Sequence, residues 1–442
     1  MGLNIANQVQ RALQDYSIRV REFRPNARLY LLNVIITGAA MGVFRLLFNF
    51  YVLSLGFDEA LLGSLVTTSS LTALLVALPM GYLADQIGRK AALILSGGLT
   101  SLAVLVMVLW PGSAVFYLTN IVFGLAQSLA AVTMAPFLME NSGEHERTYL
   151  FSFSSGLQMA SASVGSWIGG YLPTWLGSWR GVNPNDSLAY GGSLLAIALV
   201  STLALIPLAF LRVPQLERSS LTVFAPLTYA VNHPKTLGKL ILPMLITSVG
   251  AGLIMPFMNI FFRQEYHQPD PVIGALFAWG SLAMGIGLLV APPFADRIGK
   301  IQFVVITQGL SIPFLILLGF SPWFWLSAAA FYVRLALMNM SGPVYQTFVM
   351  EHVESSARAT VASLVSMSWN FGWTFSPIIS GWLQVNYGFG PPFLGTILLY
   401  TISVFMYWSF FWRGKSQPVA GPEMVAGDKS EKPGYGKTKP GY

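Results

Sequence analysis

Long apolar stretches follow one another along almost the whole chain and are separated by short polar connections. Each is long enough to cross roughly 30 Å of hydrocarbon. In lipid such a segment must be helical, because its backbone groups have no water to bond. The pattern predicts an all-α integral membrane protein with twelve transmembrane helices, at residues 28–55, 58–84, 90–110, 113–139, 148–172, 187–211, 237–264, 270–295, 301–320, 322–350, 359–384 and 390–412.

The chain repeats itself at a constant offset of 211 positions. The segment LADQIGRK at 83–90 corresponds to FADRIGK at 294–300, and the same offset relates Arg147 to Arg358 and Gly170 to Gly381. The repeat predicts two pseudo-symmetric six-helix halves, 28–211 and 237–412, joined by a central linker at 212–236. Parallel repeats of this kind are typical of secondary transporters.

Charge predicts how the chain sits in the bilayer. Hydrophobic residues are 54% of the chain and charged residues 10%, with a net charge of +7. With both termini inside, 21 of the 25 Lys and Arg lie on the cytoplasmic side, which the positive-inside rule favours. The basic excess therefore reflects topology in a cell (inner) membrane, and we expect a lipid bilayer but no nucleic acid as partner.

The two ends of the chain are predicted to be cytoplasmic accessories. Residues 1–27 form an N-terminal segment, in which 4–22 has the pattern of a helix lying on the membrane surface; a disordered basic leader is the alternative. Residues 413–442 are rich in Gly, Pro and Lys without apolar periodicity, which predicts a disordered tail.

The sequence lacks the residue constellations of an enzyme. It has no cysteine, and its 18 carboxylates and four histidines fall in loops, tails or span ends. Intramembrane catalysis needs a nucleophile with its base, or a metal cluster, within the spans. We therefore expect no enzymatic activity, no cofactor and no metal. A non-transporting membrane sensor stays open as an alternative.

The segment GYLADQIGRK at 81–90 resembles the loop signature between spans 2 and 3 of the major facilitator superfamily. The resemblance covers about 28–412 and implies a twelve-span transporter that works by alternating access as a monomer. It also implies that Asp85 faces Arg358 and that Asp296 faces Arg147. We interpret these clusters as a cytoplasmic gate, with a static topological anchor as the alternative. The residues are Gly81, Asp85, Gly88, Arg89, Glu140, Arg147, Asp296, Arg297, Glu351 and Arg358.

Two arginines, Arg45 and Arg334, lie inside predicted spans. At a helical rise of about 1.5 Å per residue, the first is roughly 25 Å into span 1 from the inside, and the second is roughly 18 Å into span 10 from the outside. Both therefore fall near one depth, where no carboxylate or histidine can pair with them. Arginine at that depth is costly unless paired or hydrated, and its planar fork suits carboxylate or phosphate. The two arginines therefore predict a clamp for a small organic anion. The alternative is that they bond backbone carbonyls at helix breaks.

Further polar residues are candidates for the same small-molecule site, namely Asn49, Asn120, Gln127, Asn259, Tyr345, Asn370 and Trp373. The absence of a titratable group at mid-depth favours uniport, anion exchange or coupling through the substrate's own charge over a proton relay. The rival function is export of lipophilic drugs or lipids. GSWIGG at 165–170 resembles an antiporter signature with Ser166 in place of proline, which favours export, whereas Asn120 stands where drug/proton exporters typically have arginine.

Overall fold

The computed structural model describes residues 23–143, 147–212, 234–351 and 358–412. The predicted surface helix at 4–22, most of the linker (213–233) and the tail at 413–442 lie outside these residues. The side chains of Arg147, Asp296 and Arg358 lie outside the described part as well.

The described residues form an all-helical bundle. The helices are α1 Pro25–Ser54, α2 Glu59–Leu75, α3 Ala77–Ile87, α4 Arg89–Leu109, α5 Ser113–Glu140, α6 Arg147–Arg180, α7 Ser187–Leu203, α8 Leu205–Ala209, α9 Pro234–Ile254, α10 Met258–Tyr266, α11 Asp270–Ile298, α12 Lys300–Phe320, α13 Phe324–Glu351, α14 Arg358–Tyr387 and α15 Gly390–Tyr407. A 3₁₀ turn, Met255–Phe257, joins α9 to α10, and a π turn, Trp408–Trp412, extends α15.

The described helices account for twelve membrane crossings. Eight are long and apolar enough to span a membrane on composition alone, and α2 with α3 adds a ninth as a bent pair. The remaining three, α6, α13 and α14, are 34, 28 and 30 residues long. An α-helix rises about 1.5 Å per residue, so each of these also exceeds the roughly 30 Å of a hydrocarbon core.

The repeat seen in the sequence is preserved in the backbone. Helix α2 begins at Glu59 and α11 at Asp270, and the starts of α4, α5 and α6 precede those of α12, α13 and α14 by the same constant offset. The two loop glycines also match: φ is +83° at Gly88 and +100° at Gly299. Both lie in a region that glycine alone adopts without strain, so the same tight turn precedes α4 and α12.

The bend between α2 and α3 measures 58°. Pro79, in the first turn of α3, has no N–H to donate to the carbonyl of Leu75, and its ring crowds that carbonyl. A proline is the commonest cause of so sharp a kink. The helix therefore breaks at Val76, and α3 carries Asp85 on a segment that is angled away from α2.

The two ends of the bundle differ in how the halves meet. We call the end that holds residues 24–28, 86–92, 209–212 and 297–301 the terminus face, and the end that holds 55–58, 181–186 and 266–270 the distal face. Asn26 joins the start of α1 to the end of α8 by donating to the Arg212 carbonyl at 2.8 Å. The positive-inside pattern predicts that the terminus face is cytoplasmic.

Contacts between the halves are concentrated in the distal part of the bundle. A side chain at Gly63 would clash with the Pro377 carbonyl, and one at Gly274 would lie 2.6 Å from the Ser166 carbonyl oxygen. Ser163 donates to the Ala278 carbonyl at 2.9 Å. Helix pairs α2–α14 and α6–α11 thus approach backbone to backbone there, as small residues allow in membranes.

Candidate functional site

The C-terminal half encloses a cavity of about 330 Å³, at the low end of the range for small-molecule sites. It lies between α9, α12, α13, α14 and α15. Its walls are largely apolar, with a few polar groups among them. Its lining residues include Met244, Met255, Gln308, Arg334, Leu335, Met338, Asn339, Tyr345, Trp373 and Tyr400.

Arg334 is the buried cation of this cavity. Its side chain is 1% exposed. Its Nη1 approaches the Met255 Sδ at 3.2 Å, and its Nη2 donates to the Tyr400 hydroxyl at 3.0 Å. Within the described residues it forms no ion pair. A buried charge without a counter-ion is costly, so the cavity wall carries an unbalanced positive charge.

Two N–H groups of the cavity wall have no acceptor among the described residues: Arg334 Nε and Trp373 Nε1. Both atoms are buried, and both can only donate. A buried donor left without a partner costs roughly 1–3 kcal/mol. Two unsatisfied donors, one of them cationic, therefore lie in the wall of the cavity.

Two amide side chains supply acceptors. Asn339 donates its Nδ2 to the Leu335 carbonyl at 2.8 Å, and Gln308 donates its Nε2 to the Ser341 hydroxyl at 3.2 Å. The nitrogen of each amide therefore has an acceptor within the protein. No hydrogen bond joins the carbonyl oxygen of either side chain to another described residue.

Arg45 lies outside this cavity but near it. It is exposed, and it has no hydrogen bond or ion pair with the described part of the chain. One helical turn further along α1, Asn49 donates to the Pro256 carbonyl at 2.8 Å. Pro256 follows Met255, which contacts Arg334. The two arginines therefore flank one seam between α1 and the α9–α10 break.

The other predicted site residues are distributed differently. Tyr345 and Trp373 line the cavity; the Tyr345 hydroxyl donates to the Leu240 carbonyl. Asn49 and Asn259 are buried and bonded to each other at 2.9 Å, across the two halves. Of the remaining three, Asn120 donates to the Phe116 carbonyl of its own helix, and Gln127 and Asn370 are exposed.

The predicted gate residues form one cluster in each half at the terminus face. Arg89 bonds Asp85 at 2.6 Å and Glu140 at 3.3 Å, and Lys300 pairs with Glu351 in the other half. The bonded residues of each cluster belong to a single half, the first to the N-terminal half and the second to the C-terminal half. The predicted partners across the halves, Arg147, Arg358 and Asp296, have side chains outside the described part. Arg297 is exposed, and open space surrounds Gly81.

The distal face holds a charged network that joins the halves. Arg263 bonds Asp270 at 2.6 Å, and Asp270 also accepts from the Tyr190 hydroxyl at 2.7 Å. Arg263 donates to Asn185 at 3.0 Å and lies 3.9 Å from the centre of the Phe50 ring. Arg263 and Asp270 belong to the C-terminal half and the other three to the N-terminal half. We call these five residues the distal network.

Sequence reasoning missed part of the site and all of the distal network as a unit. Gln308, Asn339 and Tyr400 are polar residues in apolar helices, which is the one signal that could have indicated them. Met255 carries no such signal. As for metals, the described residues contain no group of three His, Cys, Asp or Glu that could hold an ion.

A multi-span bundle in two repeated halves, with a small-molecule cavity inside, defines a membrane transport protein. The chain belongs to the Major Facilitator Superfamily, whose family model matches residues 30–242 and 240–437. It is an integral, multi-pass membrane transporter of that family, as the loop at 81–90 predicted.

Similar proteins include two that are named for drug resistance. The multidrug resistance protein MdtG of Dickeya zeae is 22% identical over 88% of this chain and 94% of its own length. The quinolone resistance protein NorA of Staphylococcus aureus is 20% identical over 80% and 89%.

Solved structures share the fold. The nucleoside transporter NupG matches with a TM-score of 0.69 at 14% identity, over 88% of this chain and 98% of NupG. A bacterial homologue of the human lysosomal transporter Spinster, in an inward-facing and unoccupied conformation, matches with a TM-score of 0.70 at 14% identity, over 88% and 96%.

Proposed function

We propose that this transporter carries organic anions that have an apolar body. The observation that carries the proposal is the pair of unsatisfied donors, Arg334 Nε and Trp373 Nε1, in one cavity. A ligand that satisfies both must present acceptors, and the unbalanced guanidinium favours a negative charge on them. Carboxylate and phosphate meet both conditions, because their oxygens accept in pairs from a planar guanidinium.

The apolar walls of the cavity are the reason for proposing that the substrate has an apolar body. Met244, Met255 and Met338 line it beside Leu335. Methionine side chains are flexible and polarizable and adapt to ligands of different shape. An anion that is small and fully polar leaves these walls unfilled, whereas one with an aromatic or aliphatic body packs against them.

Arg45 has a second role in this proposal. It is an exposed cation on α1 near the same seam, and it attracts the anion by charge rather than by a buried contact. Long-range attraction of this kind raises the local concentration of a charged ligand and weakens with salt. Arg334 then provides the contact that holds the anion inside.

Alternating access is the mechanism that we propose, and the unequal faces of the bundle support it. The distal network and the Asn49–Asn259 pair hold the halves together, so exchange occurs from the terminus face in this conformation. Transport requires those contacts to break while the clusters around Asp85 and Glu351 come together. The absence of a buried carboxylate beside Arg334 in the described residues supports anion exchange or uniport.

The test is uptake into proteoliposomes with three matched compounds: 2-naphthoate, neutral 2-naphthamide and cationic 2-naphthylmethylamine. We expect saturable uptake of 2-naphthoate alone. Arg334→Met keeps an unbranched apolar stem but removes the guanidinium and its charge, and should abolish that uptake. Arg180→Met, which removes an exposed arginine at the distal face, is the control and should retain it. Equal uptake of the amide and the naphthoate, unaffected by Arg334→Met, would contradict anion specificity.

The second candidate is an exporter of lipophilic compounds. The apolar cavity walls favour it, and so do the names of two relatives, a multidrug and a quinolone resistance protein. Under this function the amide and the amine are transported, and Arg334 acts on stability alone. The same three compounds therefore separate the two candidates.

A further inference from the structure

We propose that Gln308 and Asn339 select, among organic anions, those that also carry a hydroxyl or amino group. The inference rests on the proposed anion site and narrows its substrate class. It is based on the orientation of two amide side chains, which the surrounding hydrogen bonds determine.

The orientation of Asn339 follows from its partner. The amide contacts the Leu335 carbonyl at 2.8 Å, one turn earlier on α13. A carbonyl only accepts, so the Asn339 nitrogen must face it. The Asn339 oxygen is left without a partner in the described structure, on a residue that lines the cavity.

The orientation of Gln308 follows from a chain of two bonds. The Ser341 hydroxyl donates its proton to the Met338 carbonyl at 2.8 Å. Its oxygen is then available to Gln308 only as an acceptor, so the Gln308 nitrogen points to it at 3.2 Å. The Gln308 oxygen is the second free acceptor of the cavity, and the side chain that holds it is 7% exposed.

The cavity is therefore complementary to a ligand with two kinds of polar group. Arg334 and Trp373 donate, while Gln308 and Asn339 accept. An anion without a donor satisfies the first pair and leaves the amide oxygens buried against its apolar body. Leaving such groups unpaired penalises the wrong ligand more than a good bond rewards the right one.

The experiment compares 2-naphthoate with its 3-, 5-, 6- and 7-hydroxy derivatives. Binding to the full chain in detergent is measured by isothermal titration. One satisfied neutral hydrogen bond is worth roughly 0.5–1.5 kcal/mol, or about 2- to 13-fold in affinity. We expect at least one hydroxy isomer to bind about 5-fold or more tightly than 2-naphthoate.

Two variants assign that gain to the amides. Gln308→Met and Asn339→Leu replace each amide with an apolar side chain of similar shape and remove the acceptor, and at least one should reduce the preference to less than 2-fold. Asn386→Leu, at an exposed asparagine outside the cavity that likewise donates to a carbonyl of its own helix, should change neither affinity.

The possible outcomes distinguish this inference from the proposed anion site on which it rests. Arg334-dependent binding of 2-naphthoate with no preference for any hydroxy isomer overturns the inference and leaves the anion site standing. A preference that survives in both amide variants also overturns it. Failure of every naphthoate to bind overturns the anion site and this inference together.

Discussion

The two halves share a backbone repeat but differ at the positions that form the cavity. In the C-terminal half Met255 contacts Arg334 at 3.2 Å. The residues at the equivalent positions of the N-terminal repeat are Phe44 and Phe123, whose rings stack with centroids 5.3 Å apart. The same two helices of the repeat thus bury a cation beside a cavity in one half and an aromatic pair in the other.

The other polar residues of the cavity also have no equivalent of similar size in the N-terminal half. The N-terminal positions equivalent to Gln308, Asn339, Trp373 and Tyr400 hold small residues, namely Gly97, Ser128, Ala162 and Ala189. Small residues let helices approach closely in a membrane; a side chain at Gly42, for example, would clash with the Ala162 carbonyl. The N-terminal half therefore packs helix against helix at the positions where the C-terminal half has its cavity.

An arginine at Phe123, the N-terminal position equivalent to Arg334, should have the largest effect of the changes that test this difference between the halves. Phe123 is 6% exposed, and its ring stacks on Phe44. Phe123→Arg should bury an unpaired charge and lower the free energy of unfolding by about 4 kcal/mol, measured as a large fall in the thermal midpoint in detergent.

The reciprocal change is the control. Arg334→Met removes a buried charge that has no counter-ion in the described structure, so its thermal midpoint should stay within a few degrees of wild type. A Phe123→Arg protein as stable as wild type would show that the two halves bury charge equally well, contrary to the comparison.

The distal network provides the next test, because it holds the halves together. Asp270→Ala leaves Arg263 without its ion pair and should weaken the closed distal face by about 3 kcal/mol. The chain has no cysteine, so spin labels can be placed on Trp179→Cys and Glu265→Cys without removing native thiols. The distance distribution between them should shift to longer values.

Two controls accompany that measurement. Labels on Trp110→Cys and Trp179→Cys lie in one half and should keep their distance. Asp58→Ala removes a helix-capping carboxylate of the same face and should not change the distance between the halves. An unchanged distance in Asp270→Ala would mean that the network does not keep the distal face closed.

The smallest predicted effect concerns the turn that both halves share. Gly88 has φ +83° and ψ +155°. A residue with a Cβ pays roughly 1–3 kcal/mol in that region. Gly88→Ala should therefore lower stability by about 2 kcal/mol, whereas Gly81→Ala, in a helix with open space around it, should change it little. Equal effects in a thermal unfolding assay would contradict the backbone argument.

Most of the fold could be predicted from the sequence, because lipid allows few solutions. Apolar length determines that a segment is a helix, and the constant offset of the repeat relates one half to the other. The loop around Asp85 then identified the family through residues that are adjacent in sequence. Boundaries were less accurate: α6 begins at Arg147 and ends at Arg180, whereas a span of 148–172 was predicted.

The site was predicted less completely, because its properties depend on residues that are distant in sequence. Arg334 is visible as a charge in an apolar run, but its lack of a counter-ion depends on what α9 and α15 present. Asn49 and Asn259 were predicted to bind substrate. In the structure Asn49 donates to the Asn259 side chain, and Asn259 donates to the Leu46 carbonyl, so each bonds a group of the other half. No local pattern reveals which polar side chain has a partner already.

The central claim is that Arg334 binds an anion within the C-terminal half, and equilibrium binding of 2-naphthoate tests it most directly. Truncating one partner of a buried charged pair costs roughly 2–5 kcal/mol, so the account predicts that Arg334→Met weakens binding at least 30-fold while the Arg180→Met control leaves it unchanged. Wild-type affinity in Arg334→Met would contradict the account, because the anion would then be held by other residues.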